Sequence, residues 1–186
     1  WYSCRLARLD LASGDLITIH QPPAGREVAR PMPSPDGRWI AFISCTWSDP
    51  GMSGGDLWIA PTTPGREAEA RNLTAGAEFS VNRATWRADG NGLLYDAYDD
   101  NEASIGVVEL AGRGGRRRLW RGPVSLSFEG IHVADDGRSF VAPRSAAREP
   151  AEVWLGRLDG DSVAWRARTS PMCAGPRPMA CGWAAC

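Results

Sequence analysis

The sequence contains no lysine, so all 21 of its basic side chains are arginines. It has only two histidines, and it has no run of eighteen apolar residues that could cross a membrane as a helix. The 22 acidic side chains give a formal net charge of −1. The chain therefore lacks the excess of positive charge that is typical of a nucleic-acid-binding domain. We attribute the exclusive use of arginine to the codon bias of a GC-rich genome. The composition therefore predicts a globular chain that neither binds nucleic acid nor spans a membrane.

Long segments free of glycine and proline are also missing, because the chain carries 21 glycines and 14 prolines. Helical repeats need long stretches with apolar residues at 3.6-residue spacing, and such punctuation interrupts them. At 186 residues and 43% hydrophobic content, the chain is long enough for a sizeable core. The sequence thus favours a core built from short strands.

A repeated unit is present instead, in the form of an Asp-Gly turn that opens an apolar strand. It occurs at Asp36-Gly37, Asp89-Gly90 and Asp136-Gly137, roughly every fifty residues. Further short strands follow each turn, near Leu57, Ile105 and Val153. A tight hairpin needs a residue with positive φ, which glycine supplies. One supersecondary unit is therefore repeated.

Each period predicts four antiparallel strands, and such a meander at this period is typical of a β-propeller blade. We predict an all-β fold: a partial β-propeller of about three and a half blades over residues 1–169. The blades are expected near residues 6–20, 28–74, 80–120 and 125–168. Residues 170–186 lose the rhythm and resemble a shifted reading frame or a truncated end, so we expect a disordered tail. Because the chain starts within a blade, we expect it to be an internal piece of a larger protein.

The five cysteines do not form a disulfide framework. Cys4 and Cys45 fall on or near strands and are predicted as small core residues. Cys173, Cys181 and Cys186 have spacings that match no zinc pattern, and no histidine lies near them. We therefore predict no metal site and no cofactor. Unpaired cysteines favour a reducing, cytoplasmic compartment, while a periplasmic or secreted location stays open because a signal peptide would precede Trp1.

The segment from Arg113 to Arg121 holds five arginines and is the one basic cluster. It falls on a predicted hairpin and blade edge. Charged edges discourage pairing with other strands, so we predict a solvated edge. A site for phosphate or for an acidic partner is the alternative.

Gly51 to Gly55 matches the G-x-S-x-G pattern of a nucleophile elbow, with Ser53 at its centre. An acidic residue at 99 or 100 and His132 complete the chain order of an α/β-hydrolase triad. The elbow requires a helix after the serine, whereas a β-type segment and Pro61 follow here. We therefore predict no catalytic residue in this chain, and we expect His132 to be a hydrogen-bonded structural residue on an inner strand.

The connections between the second and third strands of the blades should emerge on one face. We expect loops there at Cys45–Gly55, Asp99–Ala103 and Pro143–Pro150. The candidate substrate-binding residues in them are Trp47, Met52, Asp99 and Asp100, with ordinary solvent loops as the alternative. The acidic group Asp96, Asp99, Asp100 and Glu102 fits a peptide amino terminus or calcium, but solvated turn charges are the preferred interpretation.

The cassette from Pro33 to Phe42 begins Pro-Ser-Pro-Asp-Gly and resembles the repeat of TolB-like and WD40-like propellers, which also builds the propeller of the prolyl oligopeptidase family. The resemblance becomes more specific in three further segments, 54–60, 71–76 and 130–155. They resemble the acylaminoacyl-peptidase and dipeptidyl-aminopeptidase branch of these serine peptidases (family S9). The resemblance covers about residues 5 to 169.

This resemblance implies an accessory role. In that family the propeller lies over the mouth of an α/β-hydrolase domain and restricts access to small peptides. The catalytic serine, aspartate and histidine lie in the hydrolase domain, downstream of the propeller. We therefore expect a downstream hydrolase domain and a peptide substrate as partners, and no activity from this chain alone. The alternative is a TolB-like propeller that only binds other proteins.

Overall fold

The computed structural model describes residues 4–46, 54–110, 115–126 and 129–167. Within these ranges the chain forms fourteen strands in four antiparallel sheets and a single 3₁₀ turn, Glu67–Glu69. The first sheet contains β1 (Leu6–Leu9) and β2 (Leu16–His20). Blade A contains β3 (Arg26–Pro33), β4 (Trp39–Thr46), β5 (Asp56–Pro61) and β6 (Arg71–Asn72).

Blade B contains β7 (Ser80–Trp86), β8 (Gly92–Asp99), β9 (Glu102–Glu109) and β10 (Gly115–Gly122). Blade C contains β11 (His132–Val133), β12 (Ser139–Ala146), β13 (Glu149–Asp159) and β14 (Ser162–Ala167). Each blade is a meander whose strands pair in chain order, and β1 with β2 forms the outer half of a further blade. The predicted all-β partial propeller of about three and a half blades is confirmed.

The three Asp-Gly turns form the hairpin between the first and second strands of each blade. Gly37, Gly90 and Gly137 have φ values of 69°, 68° and 64°, which a side chain would disfavour. In the first turn, Asp36 accepts a hydrogen bond from the Ser34 hydroxyl at 2.6 Å and another from the Arg38 amide at 3.0 Å. These bonds lower the pKa of Asp36 to about 2, the serine contributing most. Side chains of the turn itself therefore stabilise this hairpin.

The blades pack face to face because successive side chains of a strand point to opposite faces. In β8, Leu93 and Tyr95 face blade A, whereas Leu94 faces blade C. Every residue from Gly92 to Ala97 is consequently buried. The A/B seam is defined by Ala41, Ile43, Leu57, Ile59, Val81, Ala84, Leu93, Tyr95, Ala97 and Val108. The B/C seam is defined by Leu94, Ala103, Ile105, Val124, Leu126, Ile131, Phe140 and Ala142.

The turns also place the innermost strands in a common register. Pro33, Trp86 and Val133 are the last residues of β3, β7 and β11, and each lies three residues before the aspartate of its turn. They pair with equivalent positions at the start of the second strand, namely Ile40, Leu93 and Phe140. Residues of different blades can therefore be compared position by position.

The two cysteines in the described part of the chain are free thiols. Cys45 is buried on β4, as predicted, whereas Cys4 precedes β1 and is only half-buried. Burial, helped by the neighbouring Glu27, raises the pKa of the Cys45 thiol to about 11, so it is not a reactive thiolate at neutral pH. Cys173, Cys181, Cys186 and the rest of the predicted tail lie outside the described residues. Across the described part of the chain, none of the helical structure has the length and apolar character needed to cross a membrane.

Candidate functional site

The β8–β9 connection carries the two predicted site residues that the structure describes. Strand β8 ends at Asp99 and β9 begins at Glu102, so the connection is a two-residue turn. The connection therefore lies within the predicted Asp99–Ala103, but it is shorter than predicted because the strands continue to the turn. The same correction applies to Pro143–Pro150, where β12 and β13 leave only residues 147 and 148 between them.

Asp99 is buried beneath this turn, with 6% of its side chain exposed. Two arginines of the outermost strand reach it: the Arg118 guanidinium lies 3.3 Å from Oδ2, and the Arg121 guanidinium lies 3.6 Å from Oδ1. The interpretation of Asp99 as a solvated turn charge is wrong, because β10 folds over it. Its negative charge is compensated within the blade.

Asp100 occupies the tip of the turn, where its φ of 57° lies in the left-handed region that aspartate tolerates better than most residues. Its side chain is 79% exposed and lies 3.3 Å from Arg121. Arg121 also contacts Glu102, at 2.5 Å from Nε to Oε2. One guanidinium therefore joins three carboxylates and ties the turn to the outer strand.

The hollow beside this network has a volume of about 570 Å³ and is lined by Arg116, Arg118, Arg121, Asp99, Asp100, Phe79 and Tyr95, among others. A peptide amino terminus would have to displace Arg118 and Arg121 to reach Asp99. The arrangement thus fits an electrostatic clasp better than a general base. No three His, Cys, Asp or Glu side chains in the described ranges are grouped so that they could hold a metal ion.

The basic cluster belongs to the same region. Strand β10 is the outer edge of blade B, and Arg116, Arg117 and Arg118 are exposed along it. Arg117 contacts Asp161 of blade C, and Arg116 lies 5.5 Å over the Phe79 ring. Arg113 lies outside the described residues. The cluster forms an exposed edge, as predicted, and it also links neighbouring blades.

A second buried carboxylate, Asp96, lies between blades B and C. Its Oδ2 accepts a hydrogen bond from the Asn82 side-chain amide at 2.8 Å, and its Oδ1 accepts one from the Ile131 backbone amide at 3.2 Å. Burial raises the pKa of Asp96 to about 6, although these hydrogen bonds act in the opposite direction. The solvated-charge interpretation is wrong here too. The equivalent position in blade A holds Ile43, and that contrast was the available sequence signal.

The serine-hydrolase pattern is only partly covered by the structure. Trp47, Met52 and Ser53 lie outside the described residues, so their predicted roles stay predictions. The segment after Ser53 leads into strand β5, where a nucleophile elbow needs a helix.

His132 lies on the innermost strand β11 as predicted. It is exposed, however, and its imidazole makes no hydrogen bond within the described part of the chain, so the expected hydrogen-bonded structural role is wrong.

Neither a protein-family model nor a curated protein sequence matches the chain. Among solved structures, an oligogalacturonate lyase of Vibrio parahaemolyticus has a TM-score of 0.62 and 19% identity over 88% of this chain and 42% of the lyase. A puromycin-hydrolyzing peptidase of Mycobacterium tuberculosis has a TM-score of 0.61 and 19% identity, over 87% of this chain and 27% of the peptidase. Prolyl oligopeptidase B of Galerina marginata has a TM-score of 0.54 and 16% identity, over 89% and 27%.

The chain spans less than half the length of each of these proteins. At such identities the likeness shows the fold and not the activity. Structurally, the chain has a β-propeller architecture that occurs both in a lyase and in peptidases.

Proposed function

We propose that this chain is the non-catalytic propeller of a prolyl-oligopeptidase-type serine peptidase and that it limits access to a downstream α/β-hydrolase domain to small peptides. The observation that carries the proposal is the Pro-Ser-Pro-Asp-Gly cassette. In the structure it forms the hairpin of blade A, in which Ser34 Oγ accepts the Trp39 amide at 3.0 Å and donates to Asp36. Two of the similar folds belong to peptidases, which supports the same assignment.

The chemistry of the described residues is consistent with an accessory role. Asp99 is bound by Arg118 and Arg121, so it is not available to orient a catalytic histidine. The thiol of Cys45 is buried and protonated at neutral pH. The A/B seam is built from buried apolar side chains, which suits a wall that holds its shape.

The proposal is tested on the longer protein encoded by the gene. We expect a downstream G-x-S-x-G-G segment between a strand and a helix, and we expect a fluorophosphonate probe to label its serine. The isolated chain should not be labelled and should not hydrolyse aminoacyl or acyl-peptide chromogenic substrates. Turnover by the isolated chain that Ser53→Ala abolishes would contradict the proposal, as would a stop codon directly after a completed ring.

Gating is tested separately in the longer protein with Trp86→Val, which loosens the A/B seam. Long peptides should then be cleaved faster, while the rate for a short chromogenic substrate stays unchanged. Arg38→Ala is the control because Arg38 is an exposed turn residue on the neighbouring blade A. Equal rates for long peptides in all three proteins would exclude gating by the propeller wall.

A further inference from the structure

A cavity of about 400 Å³ lies between β3 of blade A and β7 of blade B, the strands that line the central channel in a closed propeller. It is lined by residues 30–33 of β3 and 83–86 of β7. Its two charged lining residues are Arg30 and Arg83, and none of the described residues that line it is acidic. Cavities of this size hold small ligands or single side chains of larger ones.

The two arginines occupy equivalent positions of the repeat. Arg30 lies three residues before Pro33, and Arg83 lies three residues before Trp86. Blade C has Gly130 at this position. The bulges offset the two positions in the pairing: Ala29 pairs with Ile43 in blade A, whereas Arg83 pairs with Asp96 in blade B. Both arginines nevertheless line the same cavity. Rings of one charge are a general way to select ions of the opposite charge.

Bulges in both innermost strands direct these side chains. The pairing of β3 with β4 shifts register between Ala29 and Met32, and Arg30 has a φ of 52°. The pairing of β7 with β8 shifts between Val81 and Arg83. A bulge reorients a side chain, and a left-handed backbone is strained at a residue other than glycine. Such strain is concentrated at functional positions.

A tryptophan holds the shape of the cavity. The indole Nε1 of Trp86 donates a hydrogen bond of 2.8 Å to the Met32 carbonyl, directly after the β3 bulge. Trp86 and Met32 also form part of the apolar lining. The cavity therefore combines two cations with an apolar wall, which suits a carboxylate on an aliphatic stem.

The neighbouring acidic groups leave room for such a ligand. Arg83 donates to the Glu129 backbone carbonyl at 3.1 Å, and it lies 3.8 Å from the Glu129 carboxylate, which is 65% exposed. An exposed pair at this distance is weak and exchangeable. Asp96 lies close enough for Arg30 and Arg83 to lower its pKa, but it is buried behind the strand and accepts its own hydrogen bonds.

We propose that this channel cavity is a carboxylate-binding site for acidic peptides, in which Arg30 and Arg83 bind a ligand carboxylate that replaces the carboxylate of Glu129. The guanidinium group suits this role because its fixed donors match the two oxygens of a carboxylate. The choice of a peptide as ligand rests on the proposed function, whereas the carboxylate site rests on the cavity itself.

Isothermal titration calorimetry of the whole chain with acetyl-Glu-Glu-Glu-amide tests the site. Binding should exceed that of acetyl-Gln-Gln-Gln-amide and should weaken as the salt concentration rises. Arg83→Ala should weaken binding about tenfold, as expected for loss of one charged hydrogen-bonding partner. Arg83→Lys should recover part of the loss, and Glu129→Gln should strengthen binding by removing the competing carboxylate.

The sharpest variant is Arg30→Gly. It should weaken binding about tenfold while the melting temperature stays the same or rises, because glycine relieves the positive φ. Asp100→Gly is the matched control: it has a similar φ of 57° but lies at the β8–β9 turn, so binding should be unchanged. This pair separates a binding role of Arg30 from a role in stability.

Three results would overturn the proposal: equal affinity for the two peptides, an unchanged affinity in Arg30→Gly and Arg83→Ala, or equal losses in Asp100→Gly. Binding of trigalacturonate without binding of the acidic peptide would overturn the assignment to peptides. These measurements involve no hydrolysis. A binding site without a downstream peptidase would therefore contradict only the proposed function, and a peptidase without this binding would contradict only the site.

Discussion

The A/B and B/C seams are made from equivalent strands in one register, yet they are filled differently. Trp86 ends β7 and its indole reaches across to the Met32 carbonyl of blade A. The equivalent Val133 is smaller and has no hydrogen-bond donor in its side chain, and it lines a cavity of about 620 Å³. Position 43 holds isoleucine in the A/B seam, whereas the equivalent position 96 holds a buried aspartate in the B/C seam.

The difference shows that a repeat determines the arrangement of the backbone but not which side chains fill the seams. Strand order and antiparallel pairing are the same in blades A and B because they depend on the backbone. Volume and polarity between blades depend on single side chains, since each seam is filled by residues from two blades. We therefore expect the A/B seam to be the rigid part of this arc and the B/C seam to be the adaptable part.

The largest expected effect comes from making the A/B seam resemble its neighbour. Trp86→Val removes the indole and its hydrogen bond to Met32 and should lower the free energy of unfolding by about 3 kcal/mol. Urea denaturation measures the change. Val133→Ala, at the equivalent position beside an existing cavity, is the control and should cost about 1 kcal/mol. Equal losses would show that the two seams are packed alike.

The next effect is the pH dependence that Asp96 gives to the B/C seam. Its folded-state pKa of about 6 lies above the usual 3.8, so the folded state retains this proton up to a higher pH. Stability from this group is therefore fully present below about pH 4 and falls by about 3 kcal/mol as the pH rises through 6.

Asp96→Asn should remove this slope, which denaturant unfolding at several pH values would reveal as a difference from the unmodified chain. Asp89→Asn, at an exposed turn residue, is the control and should leave the slope unchanged. An identical pH profile in Asp96→Asn would show that Asp96 is not a buried ion.

A smaller effect is expected at Gly130, whose φ of 62° places it against Asp96. A Cβ there would clash with the Asp96 carboxylate, so Gly130→Ala should cost about 2 kcal/mol through strain and displacement of the buried carboxylate. Gly90→Ala is the matched control. Its φ is 68°, but a Cβ would meet no atom within 4 Å, so strain alone should cost about 1 kcal/mol. Thermal unfolding measures the loss of stability in both variants. Equal losses would show that the close approach of Gly130 to Asp96 does not contribute.

The smallest effect is a gain. Val133→Trp should fill part of the B/C cavity and raise the free energy of unfolding by about 1 kcal/mol. Val141→Trp lies on the outward face of blade C, where Val141 is 37% exposed, and it should bring no gain. A loss of stability in Val133→Trp would mean that the cavity cannot accept an indole without strain.

Much of the fold could be predicted because its signals are local. The Asp-Gly turns require a glycine with positive φ, and their spacing gave the number of blades. The loops were predicted too long at Asp99–Ala103, because polar residues in a sequence do not reveal that the strands continue to a two-residue turn. The core prediction for Cys45 succeeded because a small apolar side chain on a strand usually joins the core.

The candidate site was predicted less well, because its features depend on contacts between distant residues. Asp96 and Asp99 look like exposed acids in the sequence, yet one binds the Ile131 amide and the other is covered by Arg118. The equivalence of Arg30 and Arg83 is visible in the sequence once the turns are aligned. That both line one cavity depends on two bulges that only the paired strands reveal.

The sequence by itself determined the repeat, the strands and the all-β class, because turn chemistry and alternation act over a few residues. The tertiary structure decided which seam is filled, which carboxylates are buried and which arginines line the same cavity. Those properties arise where side chains from different blades compete for the same space, and no local pattern records the outcome.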